Sequence, residues 1–242
     1  LKMAEKLKIN VFGTSAKYIS TLQSKNFFPN EISTFPHLRC ILSTGSPLVD
    51  ENYDFIYNNW KKDVQLSSIS GGTDIISCFA LGNPILPVKR GELQCIGLGM
   101  KVESFDDNGN FIYDSKGELV CTKAFPSMPI YFWNDNNNKK FKKAYFSVYS
   151  NIWYHGDYIS ISKSGGLKIF GRSDTTLNPG GVRIGTSEIY QAVEYFKEIE
   201  DSLVIGQPWK NDERIILFVK LKNNDLLSNQ LIEKIKLSIK KT

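Results

Sequence analysis

The sequence is poor in the residues that build metal sites and disulfide frameworks. Its 242 residues hold four cysteines and two histidines. Cys40, Cys78, Cys95 and Cys121 are widely spaced without a Cys-x-x-Cys pair, and with only His37 and His155 beside them a zinc site is not expected. Reduced thiols in a cytosol-like compartment fit this pattern better than a disulfide framework. No apolar run is long enough to span a bilayer, and no signal-peptide pattern is present. Gly-x-Ser-x-Gly is absent, and no Ser/His/Asp order with nucleophile-elbow spacing replaces it. The net charge of +5 comes from lysines scattered along the chain. They form no stripe interleaved with aromatics, so a nucleic-acid partner is not expected.

What is present describes a globular chain, long enough for one large domain or two smaller ones. Apolar residues make up 41% and charged residues 23%, so a packed core rather than disorder is expected. Leu1–Leu7 reads as the middle of an amphipathic helix. Ile9–Gly13, Leu38–Ser43 and Val64–Ile69 read as strands, with helices opening at Thr14 and over residues 50 to 61, where Phe55 and Trp60 are core candidates. Strand, helix, strand, helix at this pitch predicts βα units and a mainly parallel sheet. Ligands bind at the carboxyl ends of such strands.

From Gly91 the pattern turns antiparallel. Gly91–Cys95 and Gly117–Cys121 are similar strand openings, and Val102–Phe105 and Phe111–Tyr113 flank a turn at Asp106–Asn110. Asn134–Lys140 reads as a polar surface loop. Trp153–Tyr158 leads into Ile159–Ile161, which with Leu167–Phe170 reads as a strand pair about a turn at Lys163–Gly166. A small α+β unit follows Asp174. It has a helix over Ser187–Glu200 with Ile189, Val193, Phe196 and Ile199 on its buried face, strands at Ser202–Gly206 and Arg214–Lys220, and a helix over Leu226–Ile239.

Several stretches carry candidate chemistry, each with an ordinary structural reading beside it. In Ser70-Gly71-Gly72-Thr73-Asp74, glycines let backbone N–H groups approach phosphate oxygens, a hydroxyl can donate to them, and a carboxylate can hold Mg²⁺. The ordinary reading is a βα turn in which Thr73 or Asp74 caps the next helix. His155-Gly156-Asp157 offers a carboxylate to ribose hydroxyls, or is simply a tight turn. Gly45-Ser46-Pro47 can pack against a flat base, or is a generic turn. The stretch from Gly171 to Ile189 sets Arg172, Asp174, Gly180, Gly181 and Arg183 between a hairpin and a helix. It is either a ligand-approaching junction or a glycine-rich domain connection with surface charges.

These stretches occur in one order, and in that order the chain resembles the adenylate-forming superfamily of acyl-CoA synthetases, peptide-synthetase adenylation domains and luciferases. The similarity extends to Phe12–Tyr18, Gly117–Lys123, Phe132–Asp135 and Lys143–Phe146, blocks that resemble acetoacetate-activating members. The resemblance implies a multi-domain α/β fold. Residues 1–172 would be the C-terminal portion of the large AMP-binding domain, with a βα sheet part over 1–88 and a β subdomain over 89–172. Residues 173–242 would be an incomplete, mobile α+β domain.

The implied reaction is an ATP-dependent ligation. A carboxylate attacks the α-phosphate of ATP to give acyl-adenylate and pyrophosphate, the small domain rotates, and CoA thiolate attacks the acyl carbon. By the same resemblance Gly45, Ser46 and Pro47 line the adenine, and Ser70, Gly71 and Gly72 border the nucleotide. Thr73 contacts phosphate. Asp74 replaces the family's usual glutamate as the Mg²⁺-holding acid and, one methylene shorter, would reach the ion through a water. Asp157 and Arg172 hold the ribose and Arg183 a phosphate, so that Thr73, Asp74 and Arg183 are the catalytic candidates. Asp174 is the hinge, and Gly180 and Gly181 lie beside the CoA arm. Gly71 stands where acetyl-activating members carry a tryptophan that closes the acyl pocket, so room for acetoacetate or a similar short acyl acid is expected.

Two features of the superfamily are not found. Its Ser/Thr/Gly-rich phosphate loop with a lysine belongs before residue 1, and its Pro-Lys-Thr-x-Ser-Gly-Lys motif does not match the final stretch Ile239–Thr242. The expectation is an incomplete version of such a ligase. The alternatives are a catalytically inactive nucleotide-binding pseudoenzyme or interaction module and, third, a carrier-protein loader.

Overall fold

Short apolar strands joined by capped helices open the chain. The computed structural model describes residues 1–177, 184–209, 212–222 and 225–240. Helix α1 (Lys2–Lys6) precedes β1 (Val11–Ser15), α2 (Ala16–Ser24) links β1 to β2 (Cys40–Thr44), and α3 (Asp50–Asn59) links β2 to β3 (Gln65–Ser68). The three strands form a parallel sheet in the order β1-β2-β3, with Phe12 opposite Ile41 and Ile41 opposite Leu66. Parallel neighbours require crossovers, and the helices supply them. Ser15 turns the chain from strand into helix by accepting the Tyr18 N–H at 3.1 Å. Ile19, Ile41, Ile56, Trp60 and Leu66 are each no more than 2% exposed. Burying side chains of this size contributes about 1.5–3 kcal/mol apiece. Asn52, also buried, accepts from Ser20 Oγ at 2.9 Å and donates to Gln23 Oε1 at 2.8 Å, which ties α3 to α2 without an unsatisfied amide. The amphipathic helix expected at the start is a five-residue turn with no buried residue, and Lys8 at φ 55° follows its end.

Through Ile69 the chain enters antiparallel structure. Strands β4 (Ser70–Gly72), β5 (Ser77–Leu81) and β6 (Cys95–Ile96) form one sheet. Strands β7 (Val102–Phe105), β8 (Gly117–Cys121), β9 (Trp153–Ile161) and β10 (Leu167–Arg172) form another, in the order β10-β9-β8-β7. The strand expected at Phe111–Tyr113 is reduced to one bridge between Phe111 and Phe105. Phe79, Leu119, Ile159 and Leu167 are fully buried, and Trp153 is 1% exposed among the rings of Phe125, Phe141 and Phe146.

The predicted surface loop at Asn134–Lys140 is in part a helix. Asn137 and Asn138 take left-handed φ of 59° and 55°, and the chain then winds into α4 (Lys139–Tyr145). Asp135 anchors its first turn by accepting N–H from Lys140 at 2.9 Å and from Phe141 at 2.8 Å.

The chain divides into two units, Leu1–Ile169 and Phe170–Thr242. The second pairs β11 (Thr176–Leu177) with β12 (Ile184–Gly185) and follows them with α5 (Thr186–Glu194), a hairpin of β13 (Ile199–Trp209) and β14 (Asp212–Leu221), and α6 (Asn229–Ile239). Its core holds Leu177, Ile189, Val193, Val204, Leu231 and Ile235. Ser228 caps α6 by accepting the Leu231 N–H, and Ser238 Oγ donates to Ala192 O on α5. Helix α5 is shorter than expected because Ile199 and Glu200 belong to β13, where Ile199 pairs with Leu221. Parallel sheet, antiparallel sheets and helices together make a mixed α/β fold.

Candidate functional site

The Ser70–Asp74 stretch is one arm and the tip of a β-hairpin, not a strand-to-helix turn. Gly71 faces Cys78 and Gly72 faces Ser77 across the β4–β5 pair. Residues 73–76 form the turn, with Ile76 at φ 47° and its N–H on Thr73 O at 3.3 Å. No helix follows for Thr73 or Asp74 to cap, which overturns the capping alternative. Both side chains are exposed at the tip.

Gly71 has a backbone reason to be glycine. A Cβ there would overlap the Ser77 carbonyl oxygen and lie 2.8 Å from Cys78 Cα. The Cβ direction runs into β5, which gives this glycine a packing reason of its own. Opposite it, burial pushes the Cys78 thiol above its ordinary pKa. A Cβ on Gly72 would meet His155 Cε1 at 3.0 Å, so Gly72 lets the ring of His155 close against the hairpin.

His155-Gly156-Asp157 lies inside β9, which overturns the tight-turn alternative. Tyr154 pairs with Val120 and Tyr158 with Glu118, so Leu119 alone stands opposite the three residues between. This is a bulge, with Gly156 at φ 78° in the left-handed region. His155 and Asp157 are each 8% exposed. Trp153 Nε1 donates to His155 Nδ1 at 3.4 Å. With Nδ1 accepting, a neutral ring carries its proton on Nε2, which lies 3.7 Å from Asp157 Oδ2. Phe79 meets the same imidazole edge-on, with centroids 4.8 Å apart.

Tyr145 closes the arrangement. Its ring stacks on Trp153 and its hydroxyl donates to Asp74 Oδ2. Asp74, Tyr145, Trp153, His155 and Asp157 therefore form one connected cluster, with Gly72 packed on its histidine. Tyr145 and Trp153 were not site candidates from sequence. Both sit in or beside matched motif blocks, where an aromatic reads as core. Lys139, Lys140, Lys142 and Lys143 are exposed on the same short helix that delivers Tyr145.

Gly45, Ser46 and Pro47 leave the carboxyl end of β2, Gly45 at φ 89°. Ser15 pairs with Thr44, and Ile69 donates its N–H to Ser43 O at 2.8 Å. The Gly45–Pro47 turn and β4 thus both start from the carboxyl end of the parallel sheet, with Ser70 half-buried at the junction. In the second unit Arg172 grips Asp174 with two nitrogens, Nε at 2.8 Å from Oδ1 and Nη2 on Oδ2. Gly171, at φ 103°, lies against Ser187, whose hydroxyl donates to Phe170 O. Gly180, Gly181 and Arg183 lie outside the described residues.

Among the described residues no group of three His, Cys, Asp or Glu could hold a metal. Asp74 offers one exposed carboxylate beside the Thr73 hydroxyl. That is a donor set suited to Mg²⁺, which commonly binds through one or two carboxylates and the oxygens of substrate phosphates. No helix among the described residues is long and apolar enough to cross a membrane.

No family model matches the chain. It is 53% identical over 226 residues to the acetoacetyl-coenzyme A synthetase of Rhizobium meliloti (strain 1021), covering 93% of this chain and 35% of that protein. It is 48% identical over 240 residues to the acetoacetyl-CoA synthetase of Gallus gallus, covering 98% of this chain and 36% of that one. A solved acetoacetyl-CoA synthetase from Streptomyces lividans superposes with a TM-score of 0.86 at 39% identity, over 98% of this chain and 36% of its own. An anthranilate CoA ligase solved with anthranoyl-AMP shares the fold, with a TM-score of 0.76 at 19% identity, over 99% of this chain and 45% of its own. The chain spans about a third of the length of the curated relatives it matches. It has the mixed α/β fold of these CoA ligases, and over nearly all of its own length it is similar to acetoacetyl-CoA synthetases.

Proposed function

We propose that these residues form the nucleotide-activating part of an ATP-dependent acid–thiol ligase, with acetoacetate or a similar short acid as acyl substrate. The observation that carries the reading is the cluster running from the exposed Thr73–Asp74 tip through Tyr145, Trp153 and His155 to Asp157. The acetoacetyl-CoA synthetases that the chain resembles supply the substrate class.

In the first step an acyl carboxylate oxygen attacks the α-phosphorus of ATP, and the bond to pyrophosphate breaks. In the second the CoA thiolate attacks the acyl carbon and AMP leaves. Catalysis of this kind rests on positioning and on stabilising charge at phosphorus. Gly45, Ser46 and Pro47 would border the adenine and Ser70, Gly71 and Gly72 the phosphates, with the Thr73 hydroxyl donating to one of them. Asp157 would accept from ribose hydroxyls, a role that the resemblance also gives to Arg172. Asp74 would hold Mg²⁺, which when bound neutralises phosphate charge. Arg183 would contact a phosphate, Gly180 and Gly181 the CoA arm, and Asp174 would serve as the hinge of a mobile second domain. The exposed lysines of α4 make a cationic rim that draws polyanionic substrates. Four free cysteines fit work in a reducing compartment such as the cytosol.

The test is ATP–pyrophosphate exchange by the whole protein that carries this chain, with acetoacetate, acetate, butyrate and amino acids offered separately. Acetoacetate-dependent exchange is expected. Exchange with amino acids alone would favour the carrier-loading alternative, and no exchange with any acid would overturn the ligase.

A further inference from the structure

We propose that Trp153 positions both carboxylates of the cluster, Asp74 through the stacked ring of Tyr145 and Asp157 through the imidazole of His155. The proposal rests on the nucleotide site inferred above and adds three positioning residues to it, Trp153, Tyr145 and His155.

Trp153 is suited to this because it is packed on several sides. It is 1% exposed, and the rings of Phe125, Phe141 and Phe146 meet it edge-on with centroids 5.4, 6.2 and 5.9 Å away. One face of its indole carries Tyr145, at a centroid distance of 3.6 Å with the planes 14° apart. Its edge holds His155 Nδ1.

The two carboxylates need such help for different reasons. Asp74 stands exposed on a hairpin tip, where an aspartate samples several rotamers. The Tyr145 hydroxyl fixes one of its oxygens and so orients the other. Asp157 is nearly buried on a bulge, and the His155 ring beside it is fixed at its far nitrogen by Trp153. A site held in advance binds more tightly because less freedom is lost when its ligand arrives. Both arms rest on one buried side chain, so the spacing between metal-holding and ribose-holding acids is set by packing.

Trp153 is itself core, so the test uses its two partners. Binding of Mn²⁺–ATP, followed by Mn²⁺ electron paramagnetic resonance, and of AMP and 2′,3′-dideoxy-AMP, followed by calorimetry, is measured on the whole protein. Tyr145→Phe keeps the stacked ring and removes the hydroxyl. It is expected to weaken Mn²⁺–ATP about tenfold while leaving metal-free AMP binding unchanged. His155→Asn is expected to weaken AMP about tenfold and leave dideoxy-AMP unchanged, and His155→Gln, which returns a donor near the Nε2 position, is expected to recover part of the loss. Wild-type Mn²⁺–ATP affinity in Tyr145→Phe, or equal losses of AMP and dideoxy-AMP in His155→Asn, would overturn the proposal. If the unaltered protein binds no adenine nucleotide, the nucleotide reading falls and takes this one with it. If it binds and the variants match it, only the positioning role falls.

Discussion

Tyr145 lies on Trp153 with ring centroids 3.6 Å apart and planes 14° from parallel, and through that stack α4 reaches the Thr73–Asp74 tip. Aromatic pairs contribute up to about 0.5–1.5 kcal/mol beyond the area they bury. Tyr145→Ala is therefore expected to lower stability by about 2 kcal/mol, the pair plus part of a half-buried ring. Tyr145→Phe should cost less than about 1 kcal/mol, since the stack survives. Urea denaturation followed by tryptophan fluorescence checks both. An equal cost for the two variants would show that the hydroxyl, not the ring, holds α4.

Gly71 and Gly13 make a matched pair for testing the hairpin. A Cβ on Gly71 would overlap the Ser77 carbonyl, whereas one on Gly13 meets nothing within 4 Å. Gly71→Ala should destabilise by about 1–3 kcal/mol, in the range of overpacking changes that force the backbone to shift. Gly13→Ala should be neutral or stabilising by up to about 1 kcal/mol, because the unfolded chain loses freedom. Thermal unfolding midpoints of the two variants measured side by side decide it.

Much of this fold was legible in the sequence, and the failures have specific causes. The three parallel strands and α3 follow from apolar runs spaced by capping and turn residues, and Phe55 and Trp60 are core as their spacing predicts. The strands at Ile159–Ile161 and Leu167–Phe170 were likewise plain about the turn at Gly165-Gly166, though β9 and β10 run further than they do. Helix α4 was missed because its seven residues give too little periodicity, and because an asparagine-rich stretch, with Asn134, Asn137 and Asn138 in left-handed conformation, reads as loop. The hairpin at Thr73–Asp74 was missed for another reason. Whether a strand end turns into helix or folds back depends on whether Ser77–Leu81 pairs with it, a non-local fact that residues 70–74 do not contain. Tyr145 joined the site only through a contact of still longer range, 71 positions from Asp74.

Burial at Cys78 predicts sluggish thiol chemistry. Desolvation disfavours the thiolate, so its pKa is raised above the usual thiol range. Alkylation by iodoacetamide at pH 8 should be several-fold slower than for an unfolded cysteine peptide, in proportion to the smaller thiolate fraction. The rate should keep climbing above about pH 10, where the peptide has levelled off. Mass spectrometry of peptides containing Cys78 provides the readout, and a plateau near about pH 10 would contradict the shift.

The anchor of α4 should be acid-labile. Desolvation pushes the Asp135 carboxyl up, but the Lys140 and Phe141 N–H groups, with the charge of Lys140, outweigh it and hold the pKa below the ordinary aspartate value. A depressed folded pKa means that the contribution is fully present above the unfolded value of about 3.9 and is lost as pH falls through the lower folded value. Amide hydrogen exchange at Lys140 and Phe141, corrected for intrinsic rates, should show constant protection above about pH 4.5 and a decline below it. Protection that stays flat to pH 2.5 would show that the carboxylate does not hold the turn.

The bulge at Gly156 has a consequence for how variants of this protein are scored. With φ at 78° its backbone occupies a region that side-chain-bearing residues enter only at a cost, and it stands between His155 and Asp157. Any replacement would rotate both neighbours together. A mutational screen that counts product alone would rank Gly156 among the reacting groups, although it has no side chain with which to react. Pairing that screen with a measure of folded protein separates the two, and at Gly156 activity and folded amount should fall together.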